Sequence, residues 1–250
     1  MEEKNKFAVL LCAEDSEYVK KVYGGYLKVF MDLLEEEGEV WDVYRVSKGE
    51  FPADDVVQIY DGFVVTGSCS DAHGDDAWIN NLVAFLKRLH ELRKKVLGIC
   101  FGHQVLSRAL GGKSGRAING WDIGVTCIHP SPSLNTLLVP PHFPVIQCHR
   151  DEVLELPSFV EVLARSEKTG IEMFRCGDHI MGIQGHPEYT KDILLHLVDR
   201  LLQHNLILKC HAEAVKASLD AREPDRHAWE RLCRGFLKGR LSPGFQEELA

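Results

Sequence analysis

Short apolar runs alternate with amphipathic stretches along the first hundred residues of the chain. Segments with the pattern of strands occupy residues 7–13, 40–46, 63–66 and 96–99, and apolar positions at helical spacing occupy 17–37 and 78–92. Strands that alternate with helices of this length usually form a parallel sheet with helices on both faces. The pattern therefore predicts an α/β protein with three layers, α/β/α, around a mainly parallel central sheet.

Beyond residue 120 the pattern changes to shorter β-like runs with proline-rich joints. The runs are 123–129, 145–149, 160–165, 171–174 and 180–183, and the joints contain Pro130, Pro132, Pro140, Pro141 and Pro144. Helical spacing returns at 191–204, 206–217 and 226–237. We expect a small antiparallel extension of the sheet, followed by C-terminal helices. We divide the chain into a main domain over residues 7–204 and a C-terminal helical extension over residues 205–250, packed on the same domain.

A candidate nucleophile lies in residues 96–104, V-L-G-I-C-F-G-H-Q. Cys100 falls between a strand pattern and the first turn of a predicted helix, where unpaired amides and the helix dipole favour a thiolate. A buried structural cysteine is the competing interpretation, because free cysteine often behaves as a small hydrophobic residue. Gly98 and Gly102 flank Cys100, as a sharp turn with little room for Cβ atoms requires. We therefore favour the nucleophile.

A candidate base and its orienting group follow the run at 180–183. The sequence G-H-P-E places His186 and Glu188 together at a strand end, and Pro187 fixes one backbone angle between them. His186 can take the proton of the thiol, and Glu188 can hold the imidazole in the required tautomer. The two segments together predict a cysteine-based acyl-transfer site.

Three segments of the chain resemble the class I, triad-type glutamine amidotransferase superfamily. They are G-I-C-F-G-H-Q at 98–104, G-H-P-E at 185–188 and Y-D-G-F-V-V-T-G-S at 60–68. The resemblance covers roughly residues 7–202. It implies a flavodoxin-like fold of that family. It also implies a catalytic triad formed by Cys100, His186 and Glu188.

The same resemblance implies further roles near the nucleophile. Attack on a carbonyl creates an oxyanion, and the expected donors are the backbone amides of Phe101 and of the Gly67-Ser68 turn. Gln104 resembles the family residue that faces the glutamyl group of the substrate. His103 is expected to be a structural contact under the turn.

A narrower resemblance appears outside the triad. The run C-H-x-D-E-V-L-E-L-P that begins at Cys148, with Y-G-G-Y at 23–26, G-S-x-x-D at 67–71 and P-D-R at 224–226, resembles the plant cytosolic γ-glutamyl peptidases. These enzymes remove glutamate from glutathione conjugates in glucosinolate and related sulfur metabolism. The resemblance implies a hydrolase that forms a γ-glutamyl thioester on Cys100 and releases Cys-Gly conjugates. It implies a small-molecule substrate and no obligatory protein partner.

Charged residues after the run at 145–149 are candidates for substrate binding. Asp151 or Glu152 can pair with an α-ammonium, and Arg150 can pair with an α-carboxylate. The alternative for these residues is an exposed turn with no contact to substrate. His149 matches a family histidine near the pocket, and an ordinary packed histidine remains the alternative.

Two other functions remain open at this stage. One is a glutaminase subunit that delivers ammonia to a separate synthetase. The other is a catalytically silent relative that serves as a sensor or scaffold, which the complete triad disfavours. A glycine-rich phosphate loop is absent: the G-G-K-S-G run at 111–115 lacks the upstream glycine and follows a helix, so ATP binding is not expected.

Composition narrows the remaining classes of function. The formal net charge of −8 disfavours nucleic acid as a partner, and the run at 7–13 is too short for a signal peptide or a membrane span. Eight cysteines without a C-x-x-C pair favour reduced thiols and a cytosolic protein. We expect no cofactor and no metal. A metal on His186 and Glu188 with His103 or His149 lacks zinc-site spacing, and a thiolate nucleophile makes it redundant.

Overall fold

The computed structural model describes residues 5–135 and 143–241. The strands are β1 (Lys6–Leu11), β2 (Val40–Arg45), β3 (Gly62–Val65), β4 (Lys95–Ile99), β5 (Lys113–Arg116), β6 (Asp122–Pro130), β7 (Phe143–His149), β8 (Asp151–Glu155), β9 (Glu161–Arg165), β10 (Met173–Cys176) and β11 (Ile180–Ile183). The helices are α1 (Glu17–Tyr23), α2 (Tyr26–Leu34), α3 (Ala77–Glu91), α4 (Phe101–Ala109), α5 (Pro132–Asn135), α6 (Lys191–Gln203), α7 (Lys209–Ala221) and α8 (Arg226–Leu237).

Nine of these strands form one sheet, in the order β2-β1-β3-β4-β11-β10-β9-β6-β7. The five strands from β2 to β11 pair in parallel, and the pairings from β11 through β10, β9, β6 and β7 are antiparallel. Strands β5 and β8 form a separate antiparallel pair. The predicted parallel sheet with an antiparallel extension is therefore confirmed.

Helices cover the parallel part of the sheet on both faces. On β3, Phe63 and Val65 pack with α3 and α4, whereas Val64 between them packs with α2 and α8. Adjacent side chains of a strand point to opposite faces, so a strand with two covered faces is apolar at every position. The uninterrupted apolar runs in the sequence thus reflect three layers, as predicted.

The helix predicted over residues 17–37 is wrong, because two helices occupy this stretch. Gly24 ends α1 in the left-handed region at φ 82°, and Gly25 follows at φ 113°. A Cβ atom on Gly25 would lie 2.9 Å from Oδ2 of Asp15, and the Tyr26 amide donates to Oδ1 of Asp15 at 2.6 Å. Two glycines at positive φ therefore turn the chain where the apolar spacing alone suggests continuity.

Other predicted elements differ in detail. The run expected at 171–174 forms β10 two residues later, and β5 and β8 were not predicted because their sequences are largely polar. Pro140 and Pro141 lie outside the described residues, as do residues 242–250 of the expected C-terminal extension. Among the described residues, no helix combines the length and apolar character needed to cross a bilayer.

The C-terminal helices pack on the sheet at two places. Helix α7 lies against β6, where Ser218 Oγ accepts a hydrogen bond from the amide of Val125 at 3.1 Å. Helix α8 packs on the parallel strand β4 and also reaches β7, where the ring of Trp229 stacks on Phe143 at 3.8 Å between centroids. Its indole nitrogen donates to the carbonyl of Pro144 at 3.0 Å. These contacts place α8 against the same core as α2.

A buried ammonium group fixes the end of α8. Lys238 Nζ lies 2.7 Å from Oε1 of Glu39, 3.0 Å from Oε2 of Glu36 and 3.0 Å from the carbonyl of Leu34, and its side chain is 1% exposed. We expect Lys238→Ala to lower the free energy of unfolding by about 3–5 kcal/mol, because it leaves the buried Glu39 carboxylate without its cation. Urea denaturation measures this loss.

Arg240→Ala is the matched control for that substitution. Arg240 pairs with Glu36 at the surface, at 2.8 Å, and exposed pairs of this kind contribute less than about 1 kcal/mol. Equal denaturation midpoints for the two variants would contradict the role assigned to Lys238.

Candidate active site

Cys100 lies at a sharp turn between β4 and α4. It is the residue that precedes the first turn of α4, and its backbone has φ 53° and ψ −104°, a conformation that L-amino acids rarely adopt. Such a conformation costs about 1–3 kcal/mol and persists only where the surrounding structure enforces it. Here the Cys100 amide donates to the carbonyl of Ile183 at 2.8 Å, which ties the turn to the end of β11.

The two glycines that flank the turn have no room for a side chain. A Cβ atom on Gly98 would lie 2.6 Å from the carbonyl oxygen of Gly102 and would also collide with the side chain of Leu106. A Cβ atom on Gly102 would collide with the carbonyl of Val65 in β3. Close packing of α4 on β3 and β4 therefore requires glycine at both positions, which is the reason inferred from the sequence.

His186 and Glu188 lie next to Cys100 because β11 is the parallel neighbour of β4. Ile183 is paired with Ile99, so both chains leave the sheet at the same edge. Nδ1 of His186 donates to Oε1 of Glu188 at 2.7 Å, and both side chains are buried. The remaining nitrogen, Nε2, is the one available to the thiol of Cys100. The structure thus brings together the three residues predicted as the triad.

The surroundings of His186 favour its protonated form. Burial alone would lower the pKa of this imidazole, but the negative charge of Glu188 and the interaction with Cys100 outweigh it and raise the pKa to about 10. The ring also stacks on Tyr189, with 4.0 Å between centroids. A buried imidazolium beside a thiol can stabilise a thiolate and can later donate its proton to a leaving group.

A cavity of about 420 Å³ opens in front of these residues. Cys100, Gln104, His186 and Glu188 contribute to its wall, and apolar side chains cover another part: Leu11, Tyr26, Phe30, Trp121, Leu197, Leu201 and Leu206. The volume is within the range of small-molecule sites, about 300–1,000 Å³. The cavity can therefore hold a small substrate against the Cys100 sulfur.

Of the residues predicted as oxyanion donors, Gly67 and Ser68 line this cavity, whereas Phe101, which directly follows Cys100, is not part of the cavity wall. A Cβ atom on Gly67 would lie 3.2 Å from Cε1 of His186 and 3.9 Å from Cβ of Cys100, so the Gly67-Ser68 turn lies beside the predicted nucleophile. Phe101 begins α4, where the first amides have no partner within the helix. Among the described residues, no acceptor receives the amide hydrogens of Gly67, Ser68 or Phe101.

Gln104 and His103 occupy buried positions on the first turn of α4. The side-chain amide of Gln104 donates to the carbonyl of Asp151 at 2.8 Å and to Oε1 of Gln184 at 3.1 Å. The ring of His103 is fully buried against Phe174, with 4.7 Å between centroids. Gln104 forms part of the cavity wall, but its side-chain nitrogen already donates hydrogen bonds to Asp151 and Gln184. Its side chain therefore also fixes the position of the segment that contains Asp151.

The predicted substrate-binding residues differ in their surroundings. His149 donates from Nδ1 to the carbonyl of Asp151 at 2.9 Å, and burial lowers its pKa to about 4, so the ring is neutral at physiological pH. Arg150 is exposed at the mouth of the cavity. The carboxylate of Asp151 pairs with Arg116 at 2.6 Å and with His73 at 3.3 Å. Glu152 is buried and is not part of the cavity wall.

Three residues of the site were missed in the sequence. Arg116 links Asp151 to Asp71, with 3.0 Å between its Nη2 and each carboxylate oxygen of Asp71. Tyr189 stacks on the imidazole of His186, and Tyr26 forms part of the cavity wall. The position of Tyr189 directly after G-H-P-E is a signal that could have identified it. Arg116 carries no such signal, because it reaches the cavity through the pairing of β5 with β8.

Comparison with known proteins agrees with this geometry. The model of the family "Glutamine amidotransferase class-I" matches residues 21–194. The chain belongs to this family. Within the glutamine amidotransferase class-I family, it is 47% identical over 245 residues to Gamma-glutamyl peptidase 5 of Arabidopsis thaliana. The aligned region covers 95% of this chain and 97% of that protein.

Two further relatives show how far the likeness extends. Gamma-glutamyl peptidase 3 of Arabidopsis thaliana is 47% identical over 246 residues, 96% of this chain and 99% of that protein. The crystal structure of a glutamine amidotransferase from Thermotoga maritima superposes with a TM-score of 0.73 at 20% identity, over 97% of this chain and 100% of that one. The latter comparison supports the class I amidotransferase fold, and the former extends the sequence likeness through the C-terminal helices.

Proposed function

We propose that this chain is a cysteine hydrolase that cleaves γ-glutamyl amide and peptide bonds. The observation that carries the proposal is the contact of Cys100, His186 and Glu188 at the wall of a substrate-sized cavity. Relatives named gamma-glutamyl peptidase match nearly the whole chain, which supports a γ-glutamyl substrate in particular.

In the proposed reaction, the thiolate of Cys100 attacks the γ-carbonyl carbon of the substrate. The amides of Phe101 and the Gly67-Ser68 turn stabilise the resulting oxyanion, a contribution for which one donor is typically worth about 100-fold to 1,000-fold in rate. His186 donates its proton to the leaving nitrogen as the C–N bond breaks, leaving a γ-glutamyl thioester. Water then attacks the thioester, His186 takes its proton, and glutamate leaves with regeneration of the thiolate.

The glutamyl part of the substrate carries an α-ammonium and an α-carboxylate. The proposal includes the residues that bind these two groups. Arg150 is exposed and can pair with the α-carboxylate. Asp151 already pairs with Arg116, so an α-ammonium would join an existing charge network. Neutral His149 can accept a hydrogen bond at Nε2, a buried atom without a partner among the described residues. Gln104 supports this wall through the Asp151 carbonyl.

We propose a glutathione conjugate as the substrate, from which hydrolysis gives a Cys-Gly conjugate. The apolar part of the cavity wall, which includes Phe30, Trp121 and Leu201, suits an apolar substituent on the sulfur of glutathione. A cytosolic role in glucosinolate and related sulfur metabolism completes the proposal. It is supported by eight cysteines that are all free thiols.

A comparison of three substrates tests this function. We expect kcat/KM to rise from glutamine to glutathione and again to an S-benzyl glutathione, because only the conjugate fills the apolar part of the cavity. Glutamate release is measured for all three, with Cys100→Ala as the blank for each. Preference for free glutamine with release of ammonia would instead identify a glutaminase, and no turnover of any γ-glutamyl compound would identify a silent relative.

A further inference from the structure

Three side chains of types that can bind a metal ion meet at the end of β11 that is opposite to Cys100, His186 and Glu188. His90 lies in the last turn of α3, Cys176 ends β10, and His179 lies in the turn before β11. Nδ1 of His90 and Nε2 of His179 are 3.0 Å apart. One ligand atom from each of the three residues lies within 4.8 Å of the other two, and no other such group of three occurs in the part of the chain that the structure describes.

These separations suit a single shared ion. A tetrahedral zinc ion has bonds of about 2.0–2.1 Å to nitrogen and about 2.3 Å to sulfur, which places two nitrogen ligands about 3.4 Å apart and nitrogen and sulfur about 3.6 Å apart. The two imidazole nitrogens are already close to this separation. The sulfur of Cys176 lies within 4.8 Å of one nitrogen of each imidazole, and we expect it to move towards them when an ion binds.

The turn between β10 and β11 holds two of the ligands before an ion arrives. Cys176 pairs with Ile180 in the antiparallel register, and the carbonyl of His179 accepts a hydrogen bond from Val96 at 2.7 Å. Gly177 adopts φ 58°, and a Cβ atom there would lie 3.1 Å from Nδ1 of His179. Two of the three ligands are thus fixed by one tight turn, and the third comes from a rigid helix.

The charges around the cluster are partly balanced. Asp178 lies behind His179, with its Oδ1 3.7 Å from Nδ1 of that ring, on the side where a carboxylate commonly supports a metal-bound imidazole. Arg93 and Lys95 also face the cluster, and both pair with Asp178. Their positive charge opposes a divalent ion, whereas Asp178 and the thiolate of a bound Cys176 favour one.

We propose that His90, Cys176 and His179 bind one transition-metal ion of the zinc class. Two imidazoles and one thiolate prefer Zn²⁺ or Cu⁺ over the oxygen-seeking Mg²⁺ and Ca²⁺. Binding replaces the thiol proton of Cys176 with the metal and releases that proton to solvent. His90 is partly exposed and stacks on Phe159. The ion links α3 to the β10–β11 turn.

This cluster was not identified in the sequence, although Cys176 and His179 stand three residues apart. The third ligand, His90, is 89 positions from His179 along the chain, so neither spacing nor a continuous motif includes it. The proposal departs from the expectation of no metal that was drawn from the sequence alone. The rejection of a metal on His186 and Glu188 concerns the other end of β11 and is independent of this proposal.

Spectroscopy with cobalt(II) tests the proposal on the full chain in a Cys100→Ala background, which removes the catalytic thiol as a competing ligand. We expect one Co²⁺ per chain, with a thiolate-to-metal charge-transfer band that Zn²⁺ displaces. Cys176→Ser in that background should abolish the band, and His90→Gln should weaken Zn²⁺ affinity by about 100-fold or more. Cys210→Ser and His227→Gln, at exposed positions on α7 and α8, are the matched controls and should bind as the background does.

A thermal measurement in the same variants shows whether the ion acts on the fold. Zn²⁺ should raise the Tm of the Cys100→Ala protein and leave that of Cys100→Ala/Cys176→Ser unchanged, because only the former binds the ion in its folded state. If Cys176→Ser does not fold in the presence of EDTA, the Zn²⁺ affinity of His90→Gln, a substitution at a partly exposed residue, tests the proposal by itself. The proposal would be overturned if the Cys100→Ala background protein showed no charge-transfer band with Co²⁺, or if the band survived in Cys176→Ser.

Discussion

Cys100→Ala is expected to reduce γ-glutamyl hydrolysis by on the order of 10⁶-fold, because removal of a nucleophile from a triad removes the covalent route. The fold should survive, since alanine adopts the same strained turn with a side chain no larger than that of cysteine. Initial rates of glutamate release from an S-substituted glutathione measure the loss. Circular dichroism and thermal unfolding of the variant establish that the protein remains folded.

Alkylation provides an independent check on the same sulfur. Iodoacetamide should inactivate the enzyme and label Cys100 ahead of four thiols whose pKa is raised by burial: Cys12, Cys148, Cys176 and Cys233. Cys210→Ser, on the exposed surface of α7, should retain full activity and the same labelling rate. Turnover retained in Cys100→Ala would mean that another group is the nucleophile.

Glu188→Gln is expected to reduce kcat/KM by about 10⁴-fold and to change its pH dependence. Glutamine keeps the size of the side chain but loses the charge that holds His186 in its imidazolium form, and the loss of an orienting carboxylate has this magnitude in serine hydrolases. Because the negative charge of Glu188 raises the pKa of His186, its removal lowers that pKa. The alkaline limb of the kcat/KM profile, where His186 loses the proton needed by the leaving nitrogen, should move to lower pH.

The surface variant Glu223→Gln is the control for this charge change, since its side chain is 80% exposed and lies in no contact with the triad. It should leave both the rate and the pH profile unchanged. An alkaline limb at the same pH in Glu188→Gln and in the unaltered protein would show that Glu188 does not set the protonation of His186.

Several features of the fold could be predicted from the sequence because they depend on residues that are close together along the chain. Residues 63–65 are all apolar, and their side chains do pack on both faces of the sheet. Likewise Gly98 and Gly102 mark the turn at Cys100, and backbone atoms fill the space where their Cβ atoms would lie. The proximity of Cys100 to His186 required a further step, namely that neighbouring parallel strands end at one edge.

Features that depend on pairing between distant segments could not be predicted. Arg116 reaches Asp71 and Asp151 only because two polar strands pair, and no apolar periodicity identifies such strands. The break at Gly24 and Gly25 depends on backbone angles that the apolar spacing of α1 and α2 conceals. In both cases the information lies in the geometry of the main chain, which the pattern of hydrophobic and polar residues does not encode.

Because Cys100 has a positive φ, the residue that would make this position most stable to heat differs from the residue that the reaction requires. Only glycine occupies that backbone conformation without a steric penalty, and glycine has no sulfur. Laboratory evolution under selection for thermal tolerance alone would therefore favour glycine at position 100, at the cost of the chemistry. An enzyme of this design can be hardened against heat only by changes elsewhere in the chain.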